Sequence, residues 1–270
     1  MLHFQNGNLT VFKSTLFQTT TVIIETEQAI IMTDPNWLPE EVKEIRAYID
    51  ERLGDRKLYI IYTHSDYDHL IGAGAFPDAF VIASRAFHQN KRKDQIVDEM
   101  KAFDRKYYIE REYDHCYPTV DRLITTDNDL LKLGEVTLKF YLAPGHTEDG
   151  LFTIVEPYCF FLSGDYLSDV EFPFIYSSYK DYKRTVKKAR SIMENYNISY
   201  HVPGHGNVTD SKEEVMDRLN FSDYYLTQLT TDFENLEDEC RARYPFFEGM
   251  KESHQKNYDL AASELKNKKR

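Results

Sequence analysis

The chain has 270 residues, 41% of them hydrophobic and 14% aromatic, enough to bury a sizeable core in two layers around one site and to read as a single domain, 1–270. Its 33 basic residues stand against 45 acidic ones, and the formal charge of −12 argues against nucleic acid or an anionic membrane surface as a partner. Cys116, Cys159 and Cys240 show no paired spacing, MLHFQNGNLTVFKS lacks a signal-peptide pattern, and no apolar run approaches a bilayer span, so a cytoplasmic protein is expected.

In chain order, TTVIIETEQAIIMT at 20–33 holds two β-branched runs separated by Glu25-Thr26-Glu27-Gln28 and predicts a hairpin, broken by Asp34-Pro35-Asn36. Val42, Ile45, Ile49 and Leu53 follow helical spacing; Pro39, Glu40 and Glu41 suit a first turn and Gly54 a stop. Lys57 to Thr63 is continuously apolar, which predicts a strand covered on both faces, with Phe80 to Ala83 as its neighbour. From about Ser84 to Tyr117 the chain turns charged and studded with aromatics, and one or two helices are predicted to interrupt the β pattern. Strand signals resume at Arg122 to Thr126, LLKLGEVTLKFYLA predicts a hairpin turning at Gly134-Glu135, and LFTIV and YCFFLS flank Glu156-Pro157. A helix over Lys180 to Tyr196, a last strand at ISYHV and an amphipathic helical stretch from Ser211, with Val215, Leu219 and Leu226 on one side, complete the pattern. The basic tail, Lys266 to Arg270, reads as a solvated end.

Four strand-like runs end abruptly in histidine or aspartate: LYIIYT into His64-Ser65-Asp66-Tyr67-Asp68-His69, KFYLAPG into His146, CFFLSG into Asp165, and ISYHVPG into His205. Imidazole nitrogens and carboxylate oxygens are ligands that divalent zinc, iron and manganese accept, and strand ends hold them rigidly beside an open edge. An isolated His-x-Asp carries little meaning; the recurrence predicts a metal site. Two cations a few ångströms apart can share a hydroxide, acidify it and polarise a carbonyl or phosphoryl oxygen, which is the chemistry of hydrolysis. Asp68 suits a carboxylate that holds the attacking water or takes its proton. His3, His88, His115, His201 and His254 are not expected as ligands, His201 being packed or hydrogen-bonded inside the last strand. Trp37, Tyr67, Tyr166 and Tyr176 lie near ligand segments in sequence. Tyr67, between two ligands, is a candidate substrate contact or a ring packed under the loop.

These motifs, in this order from roughly Thr20 to Gly206, resemble the metallo-β-lactamase-fold metallohydrolases, whose H-x-H-x-D-H motif here reads His64-Ser65-Asp66-Tyr67-Asp68-His69. The later motifs match at Pro144-Gly145-His146-Thr147, Ser163-Gly164-Asp165 and Pro203-Gly204-His205-Gly206. The resemblance implies an α+β fold, a four-layer αββα sandwich with its metal site at one edge of the paired sheets. A helical insertion at about 84–117 and a helical C-terminal extension at about 211–270 are added to it, as a lid or a dimer contact over the metal edge. By the same resemblance His64 and His146 serve one metal, Asp68, His69 and His205 a second, Asp165 bridges both, and Asp34 orients a ligand imidazole.

Asp66 stands where the family has a histidine, and two arrangements follow. As a ligand it adds a third carboxylate, lowers Lewis acidity and makes iron or manganese more competitive with zinc. Turned away, it leaves the first site weak or empty and Asp68, His69, His205 and Asp165 as a single working site. The resemblance implies a hydrolase that uses a metal-bound hydroxide, with one or two Zn2+ per chain, on a small-molecule ester, lactone, thioester or phosphodiester. A carboxylate at this position is also similar to the flavodiiron branch, so a di-iron or mono-iron oxidoreductase is an alternative, against which the residues after His205 show no flavin-phosphate cradle. A metal-binding protein without turnover is a third reading.

Overall fold

The computed structural model describes residues 1–266, so of the basic tail only Lys266 is included and the expectation for the remainder lies outside the described residues. A seven-stranded sheet carries strands in sequence order: β1 (Leu2–Asn6), β2 (Leu9–Lys13), β3 (Thr20–Glu25), β4 (Ala29–Thr33), β5 (Lys57–Ile61), β6 (Phe80–Ser84) and β7 (Arg122–Ile124). A five-stranded sheet runs β12-β11-β10-β9-β8, from β8 (Asp129–Leu133), β9 (Val136–Leu142), β10 (Leu151–Glu156), β11 (Phe160–Leu162) and β12 (Tyr200–Val202).

The first sheet is antiparallel through β4 and parallel from β4 to β7. The change falls where α1 (Pro39–Leu53) crosses from β4 to β5, because a parallel neighbour requires such a crossover. Side chains of β4 explain the unbroken apolar run. Ile31 faces the inter-sheet core with Ile24, Ile61, Leu138 and Phe140, whereas Ile30 and Met32 face the outer layer with Val42, Ile45 and Ile49 of α1. Both faces are covered, so alternation disappears.

Helices close each outer face. α1 and α4 (Lys93–Tyr107), which buries Ile96 and Met100, cover the first sheet; α2 (Tyr67–Leu70) and α3 (Arg85–His88) are single turns beside it. α5 (Tyr179–Asn195), α6 (Lys212–Gln228), α7 (Phe233–Arg243) and α8 (Phe247–Lys266) cover Phe152, Ile154 and Phe161 of the second. The result is the four-layer αββα sandwich with a helical C-terminal extension. Val215, Leu219 and Leu226 are buried as their spacing predicts, and Ser211 caps α6 by accepting from Glu214 N at 3.2 Å.

Three local differences stand out. β1 and β2 were not among the predicted strands; β1 is a largely exposed edge without a strong apolar pattern. The 84–117 insertion forms α3 and α4 but has no regular structure after Tyr107. Asp68 and His69 sit on α2 rather than at a strand end. Among the described residues no helix is long and apolar enough to cross a membrane.

Candidate metal centre

The chain segments that leave β5, β9, β11 and β12 bring their ligands together around Asp165. Its Oδ2 lies 3.4 Å from His64 Nε2, 3.2 Å from His146 Nε2 and 3.3 Å from His205 Nε2, and its Oδ1 lies 3.1 Å from His69 Nε2. Asp66 Oδ2 is 3.2 Å from His146 Nε2 and 3.8 Å from His64 Nε2. Asp68 Oδ2 is 3.4 Å from His69 Nε2 and 3.3 Å from His205 Nε2. Two groups that could hold a metal ion result, His64, Asp66, His146 and Asp165 in one and Asp68, His69 and His205 in the other, each with its donor atoms within 4.8 Å of one another. Asp66 therefore turns inward, and the arrangement in which it points away is not the one adopted.

Every imidazole is held from behind through Nδ1. His146 Nδ1 donates to Phe174 O at 2.8 Å and His205 Nδ1 to Phe17 O at 2.8 Å, while His69 Nδ1 donates to Asp34 Oδ2 at 3.0 Å. His64 Nδ1 lies 3.0 Å from Thr63 Oγ1, whose own hydrogen goes to Asp34 Oδ2 at 2.5 Å, so the hydroxyl accepts from the ring. With Nδ1 donating outward, each Nε2 points at the centre, and its lone pair is available there when the ring is neutral. His64 Nε2, His146 Nε2 and Asp165 Oδ1 are buried and face the carboxylate and imidazole groups around them at 3.1–3.8 Å without well-formed hydrogen-bond geometry. A divalent cation bound between them would give these atoms the directed contacts they lack. The donor set, imidazole nitrogen and carboxylate oxygen, fits zinc, iron or manganese.

Proton affinities follow from the same crowding. Burial would lower the His146 pKa, but Asp165 and Asp66 outweigh it and push it up to about 10. Burial likewise opposes charge on His69 and His205, yet the surrounding carboxylates raise both well above the ordinary imidazole value. Burial would raise Asp165, and the facing His205, His69 and His64 instead hold it well below the usual carboxylate range.

A family model for the metallo-beta-lactamase superfamily matches residues 14–205, well over half of the chain. The chain belongs to the metallo-beta-lactamase superfamily. Among solved structures it is similar to a B3 metallo-beta-lactamase characterised as the first with an active-site glutamic acid, at 19% identity and a TM-score of 0.56, covering 82% of this chain and 87% of that one. The class B3 di-zinc metallo-beta-lactamase LRA-12 from an Alaskan soil metagenome matches at 19% identity and a TM-score of 0.58, covering 82% and 91%. The stereoselective inverting sec-alkylsulfatase Pisa1 from Pseudomonas sp. matches at 14% identity and a TM-score of 0.65, over 86% of this chain but 42% of its own length. At these identities the likeness is one of fold. No curated protein matches the sequence.

In this metallo-beta-lactamase superfamily member, the residues behind the ligands are as constrained as the ligands. Asp34 has a positive φ of 32° and joins three groups: Oδ1 accepts from Thr63 N at 2.8 Å, and Oδ2 accepts from Thr63 Oγ1 and His69 Nδ1. It thus orients His69 directly and His64 through Thr63. Asp34→Ala is expected to weaken metal binding by roughly 10–100-fold, measured by competition with a chromophoric chelator. Gly204 lies against the hub: a methyl group there would overlap Asp165 Oδ1, press on the Gly164 backbone at 2.9 Å and come 3.1 Å from His69 Cε1. Gly204→Ala is therefore expected to displace the Asp165 carboxylate and lower the metal content per chain, while secondary structure by circular dichroism stays near wild type.

Other anchors escaped the sequence. The Phe17 carbonyl that fixes His205 is presented by two consecutive positive-φ residues, Phe17 and Gln18. The preceding loop is tied to α1 by the buried Glu41, which accepts from Ser14 Oγ at 2.7 Å and Thr15 N at 3.0 Å. Glu171 places Oε1 3.9 Å from His205 Nδ1, and burial, only partly countered by His205, pushes its carboxyl up to about 7. Carbonyls have no residue signature, and Glu171 sits in no recognisable motif.

The aromatic candidates divide. Tyr176, about half exposed, places its ring 4.9 Å from His146, and the Tyr166 hydroxyl accepts from His146 N at 3.0 Å. Trp37 is buried, and the Tyr67 ring packs edge-on against it at 5.4 Å, with Phe103 of α4 at 6.2 Å from Tyr67. His201 is fully buried and pairs with Ser163 Oγ at 2.8 Å, away from the ligand groups as expected. His254 pairs with Tyr225 and His115 with Asp104.

Proposed function

We propose that the protein is a metal-dependent hydrolase of a small-molecule ester, lactone, thioester or phosphodiester. One observation carries this reading: four imidazoles, each pinned through Nδ1, converge their Nε2 atoms on Asp165, and two of those Nε2 atoms are buried without a well-formed hydrogen bond. His64, Asp66 and His146 would hold one cation and Asp68, His69 and His205 a second, with Asp165 shared. Zinc at one or two ions per chain is the proposed metal; the third carboxylate, Asp66, favours iron or manganese more than a histidine there would. When bound, such cations supply Lewis acidity that acidifies water and polarises a carbonyl or phosphoryl oxygen.

The chain's own residues supply the rest. The charge of Asp165 would offset the repulsion between two bound cations, and Asp34, Phe17 and Phe174 keep the imidazoles in place. Asp68 turns Oδ2 toward His69 and His205, and we assign its carboxylate the role of orienting the attacking water and accepting its proton. We assign Tyr67 a substrate contact, its ring being fixed against Trp37 and Phe103. Lactamases and an alkylsulfatase among the similar structures are hydrolases, which supports the reaction type without naming the bond. The unpaired state of Cys116, Cys159 and Cys240 supports a cytoplasmic location.

Purified, metal-supplemented protein assayed against an aryl ester, a lactone and a bis-aryl phosphodiester tests the proposal. Turnover of one of them is expected, abolished by chelation and reduced by about 10²-fold or more in Asp68→Ala. Retained metal with no turnover of any would favour a metal-binding protein. The oxidoreductase reading has less behind it: after His205 the described residues form α6, α7 and α8 and no strand, so they hold no strand–loop–helix cradle for a flavin phosphate.

A further inference from the structure

We propose that the C-terminal helix α8 is a working part of the metal centre and that Asn257 is the positioning residue through which it acts on His146. The proposal rests on the reading of His146 as a metal ligand. His146 is aimed by one outer contact, Nδ1 to Phe174 O at 2.8 Å. Phe174 belongs to an irregular segment between β11 and α5, so its carbonyl direction is not set by a helix or a sheet ladder.

Asn257 sets it instead. Its Nδ2 donates to Pro173 O at 2.6 Å and its Oδ1 accepts from Ile175 N at 2.8 Å, gripping the residues immediately before and after Phe174. Both groups of one amide are used, a match that a carboxylate or an alkyl side chain would not reproduce. Asn257 is 1% exposed, and its Nδ2 also donates to Tyr225 OH at 2.8 Å, which pairs with His254 Nδ1 at 2.9 Å. Farther along α8, Glu264 accepts from Tyr179 N at 2.8 Å, at the start of α5. The segment is thus fastened to α8 at Pro173, at Ile175 and again just past its end. On its other side Tyr176 N donates back to His146 O at 2.9 Å, so backbone and ring of His146 are both referred to a segment that α8 holds.

A consequence follows by linkage. If docking of α8 favours the metal-binding orientation of His146, metal on His146 must favour docking of α8 by the same factor. A merely structural Asn257 would lower stability without selecting one ligand group, and would leave α8 indifferent to metal beyond the general stabilisation of the fold.

The test is cobalt titration of the chelator-treated full-length chain, read by visible ligand-field bands, together with amide hydrogen exchange. In Asn257→Ala the cobalt equivalent held by His146 is expected to bind about tenfold more weakly, with shifted bands, while the equivalent at Asp68, His69 and His205 keeps its affinity. Tyr225→Phe removes one partner of the amide but spares both bonds to the segment, and is expected to lower the melting temperature with wild-type cobalt bands. In the wild type, metal is expected to slow exchange at Ile175 and along α8 more than along α4. Wild-type affinity and bands in a folded Asn257→Ala, or metal-independent exchange in α8, would overturn the proposal; should Asn257→Ala fail to fold, the wild-type exchange decides. Failure of the wild type to bind cobalt would remove the metal reading itself and this proposal with it, whereas wild-type binding with an indifferent Asn257→Ala removes only the proposal.

Discussion

Asp165→Asn is expected to empty both ligand groups at once and to lower hydrolysis by about 10³-fold or more, since several kcal/mol of transition-state stabilisation depend on the cations. The side chain keeps its shape and loses its charge, so the comparison isolates electrostatics. Among the described residues Asp165 is the one carboxylate within 3.1–3.4 Å of all four imidazoles. Without its charge the two cations would repel each other across a neutral amide, and the imidazoles would lose their shared counter-ion. Single substitutions at Asp66 or Asp68 should instead deplete one group, because each carboxylate faces only two imidazoles. Metal analysis of the three variants side by side separates these outcomes; a wild-type metal content in Asp165→Asn would show that Asp165 is not the hub.

The second large effect is a reversal of pH dependence on metal removal. In the metal-free chain the His146 pKa is raised from 6.5 to about 10. Protonated His146 paired with Asp165 and Asp66 therefore contributes stability that is fully present below pH 6.5 and is lost as the pH rises through about 10. The depressed Asp165 acts at the other end. Its contribution is present above the ordinary value of 3.8 and is lost as the pH falls through its lower folded value. Chelated protein should accordingly melt at steadily lower temperature from pH 6.5 to 10. Metal-loaded protein should not, because neutral imidazole is the ligating form and metal affinity rises over the same range. Calorimetric titration in buffers of different ionisation enthalpy should show proton release on metal binding. A chelated form whose melting temperature is flat or rising from pH 6.5 to 10 would contradict the imidazolium–carboxylate cluster.

How much of this was legible depended on whether chemistry restricts residue type. The convergence of His64, Asp66, Asp68, His69, His146, Asp165 and His205 could be read because few side chains suit divalent cations and each lies shortly after a strand-like run. The apolar runs of β4 and β5 were legible because both faces are buried, which leaves no alternation to confuse with a surface strand. β1 was not, since its residues are mostly exposed and its pairing is carried by the backbone. The supports of the site were the least legible. Phe17 and Phe174 act through carbonyls that any residue possesses, and Asn257 acts from 82 residues beyond the Ile175 amide it holds. Asp66 shows a further boundary: its identity marked a departure from the family motif, but only the folded geometry turned its carboxylate toward His146.

Anomalous X-ray diffraction from crystals of metal-supplemented protein tests the central claim most directly. The expected result is strong density within about 2.0–2.2 Å of His64 Nε2 and His146 Nε2, and again of His69 Nε2 and His205 Nε2, with Asp165 touching both positions. Density elsewhere on the surface, with the four Nε2 atoms left unligated, would contradict it.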